Sequence, residues 1–283
     1  MSETVPALID HRWLAARLGE PDLVLLDATY RLPTEARDAE ADFRAGHIPG
    51  ARFFDIDHFA DAAEHSLPHM VPTPAAAREM LRTLGVNQSS LVVVYDQRGI
   101  FSAPRGWFLL RLFGHDRVCV LDGGLPAWIA AGREVAQGEP PAPPRGDFEQ
   151  HYRARLLRGF GDLLDNLSTP AEIVIDARPA ARFYATAPEP RPGMRGGHIP
   201  ASRSLPYGRL LTEQGTMKPP AELRALFAEA GINGDRPVVT SCGSGVSAAV
   251  LTLGMVVAGL PMGALYDGSW SEWGSRPDAP IEV

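Results

Sequence analysis

Cysteine is scarce. The chain has 283 residues and two cysteines, Cys119 and Cys242. Two thiols cannot build a disulfide framework, so a reducing compartment is the expected setting. No cluster of Lys and Arg occurs, and the formal net charge is -7. Such a chain is a poor ligand for nucleic acid or an anionic membrane, and any anion site in it must be local. Residues 1–10 lack the basic end and apolar run of a secretory leader. These absences together point to a soluble cytoplasmic protein. Charge is missing altogether from residues 238–266. That stretch is long enough to span a membrane, but Gly243, Gly245, Gly254, Gly259 and Pro261 interrupt it. A buried strand, a tight loop and a core helix describe it better. What the chain does have is 45% apolar and 22% charged residues, ordinary for a globular protein with a full core and too apolar for disorder. Its length suggests two domains at roughly 150 residues each.

The chain repeats itself. Asp27-Ala28, Phe43 and Gly46-His47-Ile48-Pro49-Gly50-Ala51 are followed, in the same order, by Asp176-Ala177, Phe183 and Gly197-His198-Ile199-Pro200-Ala201. Val92-Val93-Val94-Tyr95-Asp96 matches Val238-Val239-Thr240-Ser241-Cys242, and Leu121-Asp122-Gly123-Gly124 with Trp128 matches Tyr266-Asp267-Gly268-Ser269 with Trp273. Asp27, His47, Asp96 and Asp122 lie 145 to 151 residues before Asp176, His198, Cys242 and Asp267, which is the mark of a duplicated domain. The join is rich in proline: Pro140, Pro141, Pro143 and Pro144 favour an extended, semi-rigid linker along the surface of both halves. The expected organisation is a first domain over 1–135, a linker over 136–149 and a second domain over 150–283. Within each half, short β-branched runs alternate with helix signals. Thr73-Pro74 opens a helix that Gly85 ends, and residues 221–230, stopped by Gly231, are its counterpart. The pattern predicts an α/β fold, each domain a mostly parallel sheet with helices on both faces. Ligands of such sheets bind beyond the carboxyl ends of the strands.

The informative segment is Thr240-Ser241-Cys242-Gly243-Ser244-Gly245-Val246-Ser247. A buried strand ends and a helix begins within a few residues. Its glycines permit a tight loop whose N–H groups point inward and, with the helix N-terminus, form an anion nest. A cysteine there should have a lowered pKa and act as a thiolate. The matching position in the first half is Asp96, so that half lacks the nucleophile and is expected to be a scaffold. Cys119 lies in a strand pattern and is read as core. His65 and His69 could suggest a metal, but Pro68 spoils their helical spacing and no third ligand is apparent. Trp270, Trp273, Asp27, Asp176 and Arg178 are read as structural.

The two-part layout, the Gly-His-Ile-Pro blocks, Asp267-Gly268-Ser269-Trp270 and the Cys242 loop resemble the rhodanese (sulfurtransferase) family over nearly the whole chain. The loop Cys242-Gly243-Ser244-Gly245-Val246 resembles the members that take 3-mercaptopyruvate as donor. Thiosulfate-using members carry Arg and Lys where this chain has Gly243 and Ser244, and Ser247 stands where Thr is usual. The resemblance implies two tandem rhodanese-like domains and a Cys242 persulfide formed in one half-reaction and passed to a thiol or cyanide in the next. It implies no metal and no organic cofactor. Gly243, Ser244, Gly245, Val246 and Ser247 would bind the donor and the anionic sulfur. Arg182 and Arg191 match two arginines that hold the donor carboxylate, a task suited to the guanidinium fork. Around them Ala181, Ala185 and Ala187 replace Gly, Gly and Glu. Ser244 would hydrogen-bond the donor carbonyl or relay a proton together with a first-domain histidine. His47 is the matching residue, with Asp38 to orient it; the alternative is that His47 holds its own loop, as His198 would. A small-molecule donor and a thiol acceptor such as thioredoxin are the implied partners.

Competing readings separate on the same residues. A thiosulfate:cyanide sulfurtransferase would favour a cationic loop for its dianionic donor, which Gly243 and Ser244 do not provide. A cysteine phosphatase needs Arg six residues past the cysteine, where this chain has Ala248. A non-catalytic sulfur carrier or protein-binding module would fit the first half, with its Asp96, but Cys242 argues against it for the whole chain; a Cys242 persulfide that never turns over would support it.

Overall fold

Each half of the chain builds a five-stranded sheet, and the two sheets share one strand order. The structure, a computed structural model, describes residues 5–283. The first four residues of the N-terminal stretch considered above lie outside it. In the first half the elements are β1 (Leu8–Ile9), α1 (His11–Ala15), β2 (Leu23–Asp27), α2 (Ala39–Ala45), β3 (Ala51–Phe53), α3 (Pro74–Thr83), β4 (Leu91–Tyr95), α4 (Ala103–Leu112), β5 (Val118–Leu121) and α5 (Gly124–Ala130). In the second they are β6 (Leu157–Arg158), α6 (Phe160–Ser168), β7 (Ile173–Asp176), α7 (Ala180–Phe183), β8 (Arg203–Ser204), α8 (Pro220–Glu229), β9 (Val238–Ser241), α9 (Ala248–Val257), β10 (Ala264–Tyr266) and α10 (Ser269–Trp273). The sheet orders are β1-β5-β4-β2-β3 and β6-β10-β9-β7-β8. Every neighbouring pair is parallel.

The apolar runs explain the elements. β4 and β9 are buried at every position, as are β5 and β7, because parallel strands covered by helices on both faces have no solvent side. Thr73 caps α3, its Oγ1 accepting the Ala76 N–H at 3.3 Å, and Pro74 takes the first helical position. α9 is apolar and buried nearly all round, as a helix inside a core must be. The uncharged stretch 238–266 is therefore β9, a loop, α9 and β10. No helix among the described residues is long and apolar enough to cross a membrane. Cys119 sits in β5, fully buried, and burial pushes its thiol up to about 12.

Two compact units emerge, and each takes a short segment from the opposite half of the sequence. Among the described residues one comprises 5–61, 71–153 and 213–217; the other comprises 62–70, 154–212 and 218–283. The proline-rich segment packs on the first unit: Gly146 N–H donates to Arg82 O at 2.8 Å, Asp147 N–H to Asn87 Oδ1 at 3.0 Å, and Phe148 is fully buried. The division falls after residue 153, beyond the expected linker. The central registers, Asp27 beside Tyr95 and Asp176 beside Ser241, carry Asp96 and Cys242 out of the two sheets at equivalent places.

Candidate active site

β9 delivers Cys242 at its carboxyl end and α9 starts six residues later. Between them Gly245 takes a left-handed φ of 78°, which glycine adopts without steric cost. Cys242 is 2% exposed, and Ser244 and Val246 are buried beside it. The backbone N–H groups of Ser244, Gly245, Val246 and Ser247 have no protein acceptor among the described residues. Unpaired donors around a sulfur at a helix start stabilise negative charge there. The first half shows what such a loop holds. Asp96 occupies the cysteine position, and its Oδ2 accepts the N–H groups of Phe101, Ser102 and Ala103 at 2.8 to 2.9 Å. Its Oδ1 accepts that of Arg98 at 2.8 Å.

The carbonyl side of the Cys242 loop is clamped by α10. Trp270 N–H donates to Cys242 O at 2.9 Å and Ser271 N–H to Gly243 O at 2.8 Å. The Ser271 hydroxyl adds a bond to Gly243 O at 2.6 Å. Trp270 and Trp273 are otherwise core residues, their indole N–H groups donating to Arg195 O and Pro280 O.

The arginines stand over the same loop. A Cβ on Gly243 would lie 3.3 Å from Arg182 Nη2 and 3.9 Å from Arg191 Nη1. Any side chain at residue 243 would compete with the guanidinium groups for space. Arg182 is aimed by Glu189, whose Oε2 accepts from Nε at 3.1 Å and Nη2 at 2.5 Å. The Glu189 side chain is 1% exposed, and its Oε1 binds Arg178 Nη1 at 2.7 Å. Arg178 in turn pairs with Asp176 at 2.7 Å, donates to Gly197 O at 2.9 Å, and lies over the Trp270 ring. Burial alone would lower the Arg178 pKa, but Asp176 and Glu189 raise it above its ordinary value. Two buried carboxylates thus offset Arg178 and steady Arg182. Glu189 was not legible as a functional residue; only its neighbour Arg191 drew attention to the segment.

The histidine at Ser244 is His69. Its Nδ1 lies 3.0 Å from Ser244 Oγ and 3.3 Å from Ser244 O. His69 itself has a left-handed φ of 62° and is 4% exposed. His47, expected as the partner of Ser244, holds its own loop instead. Its Nδ1 is bonded to Phe43 O at 2.9 Å and its ring stacks on Phe43 at 4.2 Å. His198 repeats this arrangement with Phe183, at 3.1 and 3.8 Å. Asp38 caps α2, accepting the Ala41 N–H at 2.6 Å. The sequence marked His69 only as a possible metal ligand beside His65, not as a partner of Ser244, which lies 175 residues away, and it has no counterpart in the repeat. Ser247 precedes α9, yet its hydroxyl makes no capping bond.

The profile of the Rhodanese-like domain matches residues 10–131 and again 160–276. The chain is 42% identical over 271 residues to the 3-mercaptopyruvate sulfurtransferase of Escherichia coli K12, covering 95% of each chain. It is 40% identical over 292 residues to the mitochondrial thiosulfate/3-mercaptopyruvate sulfurtransferase 1 of Arabidopsis thaliana, covering 95% of this chain and 76% of that one. The crystal structure of SseA from Escherichia coli, described as a 3-mercaptopyruvate sulfotransferase with the rhodanese fold, superposes with a TM-score of 0.85 at 38% identity. That match covers 94% of this chain and 99% of SseA. With both halves matched and the sheets in one order, this chain belongs to the rhodanese family as a tandem pair of rhodanese-like domains.

Proposed function

We propose that the protein transfers sulfane sulfur from 3-mercaptopyruvate to a thiol or cyanide acceptor through a Cys242 persulfide, releasing pyruvate. The observation that carries this reading is Cys242 among unpaired N–H groups with Arg182 and Arg191 over the same loop. The guanidinium groups would take the donor carboxylate, with Glu189 holding Arg182 in place. The Cys242 thiolate attacks the donor sulfur, the carbon–sulfur bond breaks, and its electron pair passes to carbon as the enolate of pyruvate. The proton of the donor thiol ends on that carbon. Ser244, bonded to His69, stands where a proton can be moved between these atoms. The anionic persulfide then rests among the loop N–H groups. An acceptor thiolate or cyanide attacks the outer sulfur and returns Cys242 to its thiolate, which closes a ping-pong cycle.

Two free cysteines fit a reducing compartment, and the cytoplasm with a dithiol such as thioredoxin as acceptor is the setting this reading favours. The test is steady-state transfer from 3-mercaptopyruvate and from thiosulfate to cyanide, by wild type and Cys242→Ala. Mercaptopyruvate should win by about tenfold or more in kcat/KM, about 1.4 kcal/mol of discrimination, and the variant should be inactive. A preference for thiosulfate would overturn the donor assignment, and an active Cys242→Ala enzyme would overturn the nucleophile.

A further inference from the structure

Ser269 opens α10 with a φ of 49°, in the left-handed region. Residues with a Cβ rarely stay there unless something holds them. Its side chain is fully buried. The hydroxyl donates its one hydrogen to Tyr266 O at 2.9 Å and accepts the N–H of Cys242 at 3.3 Å. The first half uses glycine at the same turn. Gly124 has a φ of 54°, and the next residue, Leu125, donates to Asp96 O at 3.0 Å, as Trp270 does to Cys242 O. A Cβ on Gly124 would come within 2.2 Å of Asp96 O. The backbone of this turn is therefore one that glycine suits. In the second half a serine occupies it, and its hydroxyl bridges β10 to the cysteine.

We propose that Ser269 is a positioning residue for Cys242: it fixes the cysteine N–H so that the sulfur is presented to the unpaired donors of its loop. The peptide before Cys242 is held at both ends, Ser241 O by the Ala177 N–H at 2.8 Å and Cys242 N–H by Ser269. The peptide after it is held at Cys242 O by Trp270. With both planes fixed, the direction of the Cα–Cβ bond is fixed too. Removing the Ser269 hydroxyl frees the first plane to turn and lets the sulfur leave its attack geometry, a loss that grows steeply with misplacement.

This inference rests on Cys242 being the nucleophile. It is tested with Ser269→Gly, which suits the backbone and removes only the side chain. The thermal midpoint should stay or rise, since the strained residue is gone. The KM for 3-mercaptopyruvate should stay within about twofold, because Arg182 and Arg191 are untouched. Single-turnover pyruvate release should fall about tenfold or more, and alkylation of Cys242 by iodoacetamide at fixed pH should slow in step. Ser269→Thr, which keeps the hydroxyl, should recover most of the rate even with a lower thermal midpoint. Wild-type release and alkylation rates in Ser269→Gly would overturn the inference, and so would a rate loss matched by a collapse in thermal midpoint. If wild type itself releases no pyruvate, the donor assignment fails, while the alkylation comparison still decides the role of Ser269.

Discussion

The loop after β4 and the loop after β9 follow one plan, and one of them is closed by its own side chains. Asp96 fills the first loop with a carboxylate that takes four N–H groups. Gln97, the next residue, reaches across to bridge Asp27 and Gly46 O at 3.2 and 2.9 Å. In the second loop that bridge comes from elsewhere. Arg178, two residues past the strand-end Asp176, joins Asp176 to Gly197 O. Position 243 no longer has to supply it and is glycine. Moving a structural bond from the loop to the strand end is what clears the space over Cys242. The N–H groups that serve a carboxylate in one half stand without a protein acceptor in the other.

The sharpest way to break this comparison is to treat the two loop residues alike. Cys242→Ala should lower turnover by about 10⁴-fold or more with little change in denaturation. Asp96→Ala should leave turnover and cost at least about 3 kcal/mol of stability, because three buried N–H groups and the part-buried one of Arg98 lose their carboxylate acceptor; urea unfolding beside a turnover assay separates the two. If Asp96→Ala is stable, its cradle is not structural. Second, His69→Gln should lower kcat on the order of 10²-fold with stability nearly kept, whereas His47→Gln should act through stability, since His47 is tied to Phe43. Equal kinetic losses from both would undo the distinction drawn between them. Third, Glu189→Gln should raise the KM for 3-mercaptopyruvate about tenfold, as Arg182 loses its charged anchor. An unchanged KM would remove Arg182 from the donor site.

A dependence on pH separates the two strand-end aspartates. Asp176 has a guanidinium partner; Asp27 is held by the uncharged Thr29 and Gln97. Burial, against the pull of those hydrogen bonds, raises the Asp27 pKa to about 6. The folded state therefore binds this proton more tightly than the unfolded chain. The resulting stabilisation is full below the ordinary value of 3.8 and is lost as pH rises to about 6. From about pH 4 to about pH 7 the wild type should lose about 2 kcal/mol that Asp27→Asn does not lose. Parallel pH–stability curves for the two would contradict the raised value.

Much of this was legible because duplication let one half be read against the other. The apolar runs beginning at Val92 and Val238 located β4 and β9 to within a residue or two, since strands buried on both faces leave little choice of register. The edge strands β1 and β6, two residues each, were missed because nothing so short carries a period. Cys242, Arg182 and Arg191 stood out by type and by resemblance. His69 and Glu189 did not. One reaches Ser244 across 175 residues, and the other is a buried carboxylate whose partners only the fold brings together. His47 lies in a motif that both halves carry, and its bond to Phe43 matches that of His198 to Phe183, so the motif serves what both halves share.

A copy of a domain with aspartate at the cysteine position would ordinarily be free to decay. Here it is not, because the unit around Cys242 takes residues 62–70 from the first half, and His69 comes with them. Trimming the chain to its second half would remove the histidine bonded to Ser244. The first half would in turn lose residues 213–217, whose Met217 N–H is bonded to Asp122. Each copy holds a piece of the other, so the duplication, once exchanged in this way, has no short route back to a single domain.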